Sequence, residues 1–153
     1  MKKFHYWLLM LFPLFCACTR MPSEPEGAVV SMEYRIDNAT RYPEFHFILR
    51  REVDGRYLLT NASGCDPEEA RTIEVPAAFA DSLRRIVIEE KMTAYKEHYS
   101  SWSNRYVSGG TFWCISIGFE GNDEAVKSSG YMTYPKGNGL NRIQQLCEDT
   151  WQS

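Results

Sequence analysis

The residue types best able to do chemistry in this chain gather between Tyr95 and Tyr134. Tyr95, Tyr99, Trp102 and Tyr106 punctuate a polar stretch, and Tyr131 and Tyr134 follow in a later run. Such rings stack on sugars or anchor a protein partner, because they bring large contact area at low entropic cost. Their competing use is to tuck under the loop and close the core. Tyr99, Trp102, Tyr106, Tyr131 and Tyr134 are therefore the candidate binding residues. In the same stretch His98 stands near Ser100 and Ser101, which raises a second chemistry, a histidine general base activating a serine hydroxyl. No nucleophile elbow accompanies it, since "VKSSGY" has no glycine ahead of its serines.

Other groups suggest less. Glu68-Glu69 and Glu89-Glu90 are adjacent, and neighbouring helix positions point about 100° apart, so neither pair can flank one bond. "GNG" at 137–139 lacks the Lys-Ser/Thr partner of a phosphate loop. Cys65, Cys114 and Cys147 are spaced by 49 and 33 residues, which matches no metal motif, and only His46 and His98 lie beyond the first 17 residues. Neither a metal nor a cofactor is expected. The three thiols leave open one disulfide or buried free cysteines packed as small hydrophobes. A binding or interaction module is the reading these residues favour; a small hydrolase using His98 with a loop serine is the alternative.

The N-terminus "MKKFHYWLLMLFPLFCACTR" sets Lys2 and Lys3 ahead of an uncharged run, the order of a secretory signal. A run of about 12 residues spans only about 18 Å as a helix, short of a hydrocarbon core of about 30 Å, and Pro13 interrupts it. Ala17-Cys18, with Phe15 at the third position before the cysteine, resembles the lipobox of bacterial lipoproteins, in which that cysteine is acylated and becomes the new N-terminus. Cys16 fits less well, because Phe15 would fill its small-residue position. The resemblance implies a signal peptide over 1–17 and a lipidated Cys18, and two or more acyl chains would make a lasting membrane tether.

Loss of Lys2 and Lys3 leaves 15 basic against 20 acidic residues, a charge of −5, which argues against a nucleic-acid partner. Residues 18–27 carry the tether and a Pro/Glu/Ser-rich linker, and 28–153 suffices for one domain. The stretch after Cys18 has no dense acidic run of the sort associated with surface export in Bacteroidetes. That favours the periplasmic side of the outer membrane as the location, with an envelope protein or glycan as partner.

The elements that must position the aromatic residues read as follows. "AVVSMEYRID" alternates, with Val30, Met32, Tyr34 and Ile36 inward; "EFHFILRRE" repeats this with Phe45, Phe47 and Leu49; Asp54-Gly55 turns the chain into "RYLLTNA". "RTIEV" is a short strand candidate, and Phe79, Leu83, Ile86 and Val87 recur at helical spacing from Pro76 to Lys91. The 95–110 stretch reads as an irregular loop. "TFWCISIGF" is a strong strand with Trp113, Ile115, Ile117 and Phe119 inward, and "EAVKSSGYMTY" alternates more weakly, as at an edge. Leu140, Ile143, Leu146, Cys147 and Trp151 mark a last helix with Asn138 as N-cap. The order predicts an α+β fold, an antiparallel sheet of about five strands with two helices packed on one face.

The run from Pro76 through "TFWCISIGFE" to "SSGYMTYP" is similar to small lipoproteins of Bacteroidetes with no established activity. That resemblance implies the envelope location and no chemistry. "DSL" at 81–83 likewise resembles the acceptor for O-glycosylation in that group, which would place a glycan on Ser82.

Overall fold

The computed structural model describes residues 24–101 and 109–153. Cys18, the 1–17 signal and two candidate binding residues, Trp102 and Tyr106, lie outside them. Within the described residues the strands are β1 (Val29–Asp37), β2 (Phe45–Arg51), β3 (Tyr57–Asn61), β4 (Arg71–Val75), β5 (His98–Tyr99), β6 (Phe112–Phe119) and β7 (Asn122–Tyr131). Helix α1 (Ala77–Glu89) falls between β4 and β5, and α2 (Gly139–Gln152) ends the chain. The fold is α+β.

The sheet has seven strands in the order β4-β3-β2-β1-β6-β7-β5, more than the five expected. Six of them pair antiparallel, β1 with the distant β6 and the others with a sequence neighbour; β5 pairs parallel with β7, His98 opposite Ser129 and Tyr99 opposite Gly130. The 95–110 stretch is therefore not wholly irregular. A two-residue strand has no period to read, and what makes it a strand is remote. The Glu97 carbonyl accepts the Ser129 N–H at 3.0 Å, and the Lys96 carbonyl accepts the Ser128 hydroxyl at 2.7 Å. This clasp covers one end of β7 and leaves the rest of that strand as the edge its weak alternation suggested.

Alternation decides the core. Met32, Tyr34, Phe45, Phe47, Leu49, Leu59, Trp113, Ile115, Ile117 and Phe119 are buried and form one cluster with the apolar stripes of both helices. On β1 the phase differs from expectation at one place, where Val29 rather than Val30 is buried. A register shift between Val29 and Ser31, opposite Phe119 and Gly118, inserts one residue and flips the side chain. The other sheet face presents Glu33, Arg35, His46, Cys114, Lys127 and Ser129, exposed or half-buried.

The helices are tied to each other at their ends. The Glu90 carboxylate, just past α1, accepts the Asn138 N–H and an Arg142 guanidinium bond, both at 3.0 Å, while Glu89 takes the other Arg142 nitrogen at 2.7 Å. Asn138 is the N-cap by position, but its side chain caps nothing; Glu90 satisfies the helix start instead. These bonds hold the Glu90 carboxyl below the usual carboxylate range, the Asn138 N–H being the largest cause.

Candidate functional site

One end of β6 and β7 gathers the aromatic residues. Trp113, fully buried, is the hub. Its ring faces Tyr99 at 6.0 Å between centroids and Tyr134 at 5.9 Å, the latter nearly parallel at 14°; Tyr95 meets Tyr99 edge-on at 6.4 Å.

The chain needs unusual backbone to build this. A Cβ at Gly130 would sit 2.6 Å from Trp113 Nε1 and would also strike the Thr133 carbonyl, so only glycine lets β7 pass under the indole. Met132 then turns the chain with φ of 48°, in the left-handed region. The turn is pinned on both sides: Trp113 Nε1 donates to the Thr133 carbonyl at 2.9 Å, and the Met132 N–H donates to the Thr111 carbonyl at 2.9 Å. Tyr134 is thereby laid against Trp113 with about half of its surface exposed, at 52%.

The sequence-predicted residues divide by what their hydroxyls do. The Tyr99 hydroxyl accepts the Lys96 N–H and the Tyr131 hydroxyl accepts the Gly110 N–H, each at 3.1 Å, so both also hold the local backbone. Tyr134 presents its ring to a cleft of about 280 Å³ lined by Tyr95, Tyr134, Pro135, Gly137, Leu140 and Asn141. None of these six carries a formal charge. The Tyr95 hydroxyl is shut off from solvent and has no hydrogen-bond partner among the described residues. Burial, more than the nearby Glu90 and Tyr99, raises its pKa, so it stays a neutral donor. A phenol left in that state costs about 1–3 kcal/mol until a partner arrives.

Sequence reading placed Tyr95 and the 131–135 segment in the binding surface but missed Gly137, Leu140 and Asn141. No local signal could reveal them, because the cleft forms only where the start of α2 meets the turn after α1. The surrounding surface is apolar as well. Among the described residues the exposed large hydrophobics are Phe112, Met132 and Tyr134 at this end and Val53 in the β2–β3 turn.

Other candidates are placed differently. His98 Nδ1 lies 3.1 Å from the hydroxyl of Ser129, a strand residue rather than the expected loop serines. That hydroxyl also reaches the Glu97 carbonyl at 3.3 Å, within the clasp that holds β5. His46 Nε2 contacts Glu33 at 3.0 Å on the open sheet face. Ser82 is half-buried on α1. Cys65, Cys114 and Cys147 are free thiols; burial raises the pKa of Cys114 and pushes that of Cys147 up to about 12.

A larger hollow of about 510 Å³ lies at the other end of β6, between Glu24-Pro25-Glu26 and the β6–β7 turn. Its carboxylates are exposed, and Glu120 already pairs with Arg51, so the smaller aromatic cleft is the better candidate site. Among the described residues no helix is long and apolar enough to cross a membrane. A search of protein families finds no match to this chain, and a search of curated proteins finds none either.

Proposed function

We propose that this is a lipid-anchored protein of the bacterial cell envelope that works by binding, with the aromatic cleft as its ligand site. The observation that carries the binding reading is the half-exposed Tyr134 ring stacked on Trp113 beside an uncharged cleft. Tyr134 is the contact residue, and Trp113, itself packed against Tyr99, backs its ring.

The sheet geometry fits an anchor at Cys18. Pro25 is buried and its carbonyl takes an Arg84 contact at 3.4 Å, so the linker joins the domain at the Phe119 end of β6. Only about six residue steps then separate Cys18 from Glu24, a reach of about 20 Å. Tyr134, one wall of the cleft, stacks on Trp113 at the other end of the eight-residue β6, while Tyr95, another wall, lies two residues from Thr93 of the linker-end hollow.

A photoreactive phenylalanine analogue in place of Tyr134, expressed in native membranes, tests the site. It should form a discrete adduct that the same analogue at the fully exposed Val53 does not. Equal labelling at the two positions would count against the cleft. The tether is tested separately: Cys18→Ser should lose incorporation of an alkyne-tagged fatty acid and leave the membrane fraction, and retention of either would sink the anchor.

The 3.1 Å contact between His98 and Ser129 carries the second reading, a small hydrolase. It requires a fluorophosphonate probe to label Ser129 in the unaltered protein and to fail in His98→Ala.

A further inference from the structure

The sheet has two edges, and they differ in what protects them. At the β7 edge, β5 covers Ser129 and Gly130, a register shift between Ile117 and Phe119 breaks the ladder, and Lys127 stands on the strand paired with Glu124. A covering segment, a bulge and charged side chains are the devices that keep a strand edge from pairing with another chain. The β4 edge has neither the cover nor the bulge. Its five residues pair with β3 in one unbroken register, Thr72, Ile73 and Val75 are β-branched, and no described strand lies beyond it.

Bonds at the two ends of the β2–β3 hairpin fix which backbone groups of β4 are left over. The Ala62 N–H donates to the His46 carbonyl, and the Glu52 N–H donates to the Arg56 carbonyl. Backbone groups of successive strand residues point to alternate sides, so the even-numbered residues of β3 face β2, and Tyr57, Leu59 and Asn61 face β4. Their partners Val75, Ile73 and Arg71 are thereby satisfied. Thr72 and Glu74 point outward, each with an N–H and a C=O and no described strand to receive them.

An antiparallel strand meets these groups fully only if it offers two outward residues two positions apart. A second β4 does. Setting Thr72 opposite Glu74 of the partner subunit puts a two-fold axis between the two Ile73 residues and lets both outward residues of each strand donate and accept. Moving the axis to Glu74 apposes two carboxylates and sets Thr72 against Pro76, which has no N–H. Moving it to Thr72 sets Glu74 against Ala70, whose N–H is already given to the Pro67 carbonyl, and leaves the Glu74 carbonyl without a donor.

We infer that the chain forms a two-fold dimer through β4, Thr72 of each copy pairing with Glu74 of the other across an Ile73–Ile73 contact. In this register the Glu74 carboxylate keeps its Arg56 partner and the Thr72 hydroxyl keeps Thr60. Ile73, half-buried in the single chain, gains an apolar neighbour. The axis sends the two linkers to opposite ends of the joined sheet, so copies anchored in one membrane lie with their strands along its surface. The dimer rests on neither the cleft nor the anchor.

Cysteine cross-linking of the full-length chain in native membranes tests it, in a background of Cys65→Ser and Cys114→Ser. Facing residues of a non-hydrogen-bonded pair lie about 4.5 Å apart at Cα, within disulfide range. Ile73→Cys should therefore give a covalent dimer of this chain under mild oxidation, read on a non-reducing gel. Glu74→Cys should give none, because its offset along the strands carries it past the roughly 7 Å that a disulfide can bridge. Thr72→Pro added to Ile73→Cys should abolish the dimer while the circular dichroism of the fold is kept, since the lost N–H points away from β3. Light scattering of the unaltered protein in detergent micelles should give the mass of two chains, and Thr72→Pro the mass of one. A dimer from Glu74→Cys in place of Ile73→Cys overturns the register. The mass of one chain with no cross-link overturns the dimer, as does cross-linking of Ile73→Cys only to a different protein, which would assign the edge to an extended segment of another chain.

Discussion

The two ends of the β6–β7 hairpin are held by different forces. At the Phe119 end, Glu120 pairs with Arg51 and accepts the Ala28 N–H at 3.4 Å, all with exposed or partly exposed groups. At the Trp113 end, a buried indole stacks on Tyr134 and Tyr99 and donates one hydrogen bond to a carbonyl. Exposed ion pairs contribute little and respond to salt and pH, whereas buried aromatic packing contributes much and responds to volume. The end that joins the linker therefore adds exposed ion pairs to its buried Phe119, and the end that carries the cleft adds buried aromatic packing.

Removing the indole tests this contrast most severely. Trp113→Ala should destabilise the fold by about 3–5 kcal/mol, because the fully buried indole leaves a cavity behind it. Urea unfolding would measure it, and a loss no larger than that of Arg51→Ala would erase the distinction between the two ends. Gly130→Ala comes next. Its new methyl would press on Trp113 Nε1 and on the Thr133 carbonyl, neither of which is the far end of a flexible chain. A loss of about 1–3 kcal/mol is expected, with a shift of the indole N–H resonance as the Trp113 bond is strained. Gly121→Ala, in the turn at the other end, is the control. Its Cβ meets open space, and its only penalty is the positive φ of 78°.

Tyr95→Phe should go the other way. Deleting an unpartnered buried hydroxyl removes a desolvation penalty without removing a bond, so the protein should gain about 1 kcal/mol in stability. A loss of stability in urea unfolding would instead mean that the hydroxyl has a structural partner.

The contrast between the ends also explains what the sequence could reveal. Trp113, Ile115, Ile117 and Phe119 alternate because every second residue of β6 meets the helices, so the core side of that strand is a local pattern. The same holds for Phe45, Phe47 and Leu49 on β2 and for the stripe of α1. Val29 broke the pattern on β1 because a bulge depends on the facing strand, which no residue of β1 encodes. His98 and Tyr99 became a strand through carbonyls that meet Ser128 and Ser129 about 30 positions later. The cleft was hidden for the same reason. Its walls come from the turn after α1 and the start of α2, which are joined by Glu90 and Arg142 across some 50 residues. Even Glu89-Glu90, whose adjacency only excluded their flanking one bond, acquired a role when α2 arrived.

The smallest expected effect lies at the linker end and separates the two ends by pH. Glu120 is held below the usual carboxylate range, chiefly by its bond from Arg51 and then by the Ala28 N–H. Because its folded pKa is below the unfolded value of about 4.3, its contribution is fully present above that pH and is lost as pH falls through the folded value. Glu24 and Glu26, which line the same hollow, add no competing cation. The Ala28 amide resonance should therefore titrate with a midpoint below that of an ordinary glutamate, and Glu120→Gln should abolish the titration. The Trp113 indole N–H, whose partner is a neutral carbonyl, should not follow it. An indole signal that moves with the same midpoint would show the two ends to be coupled through β6.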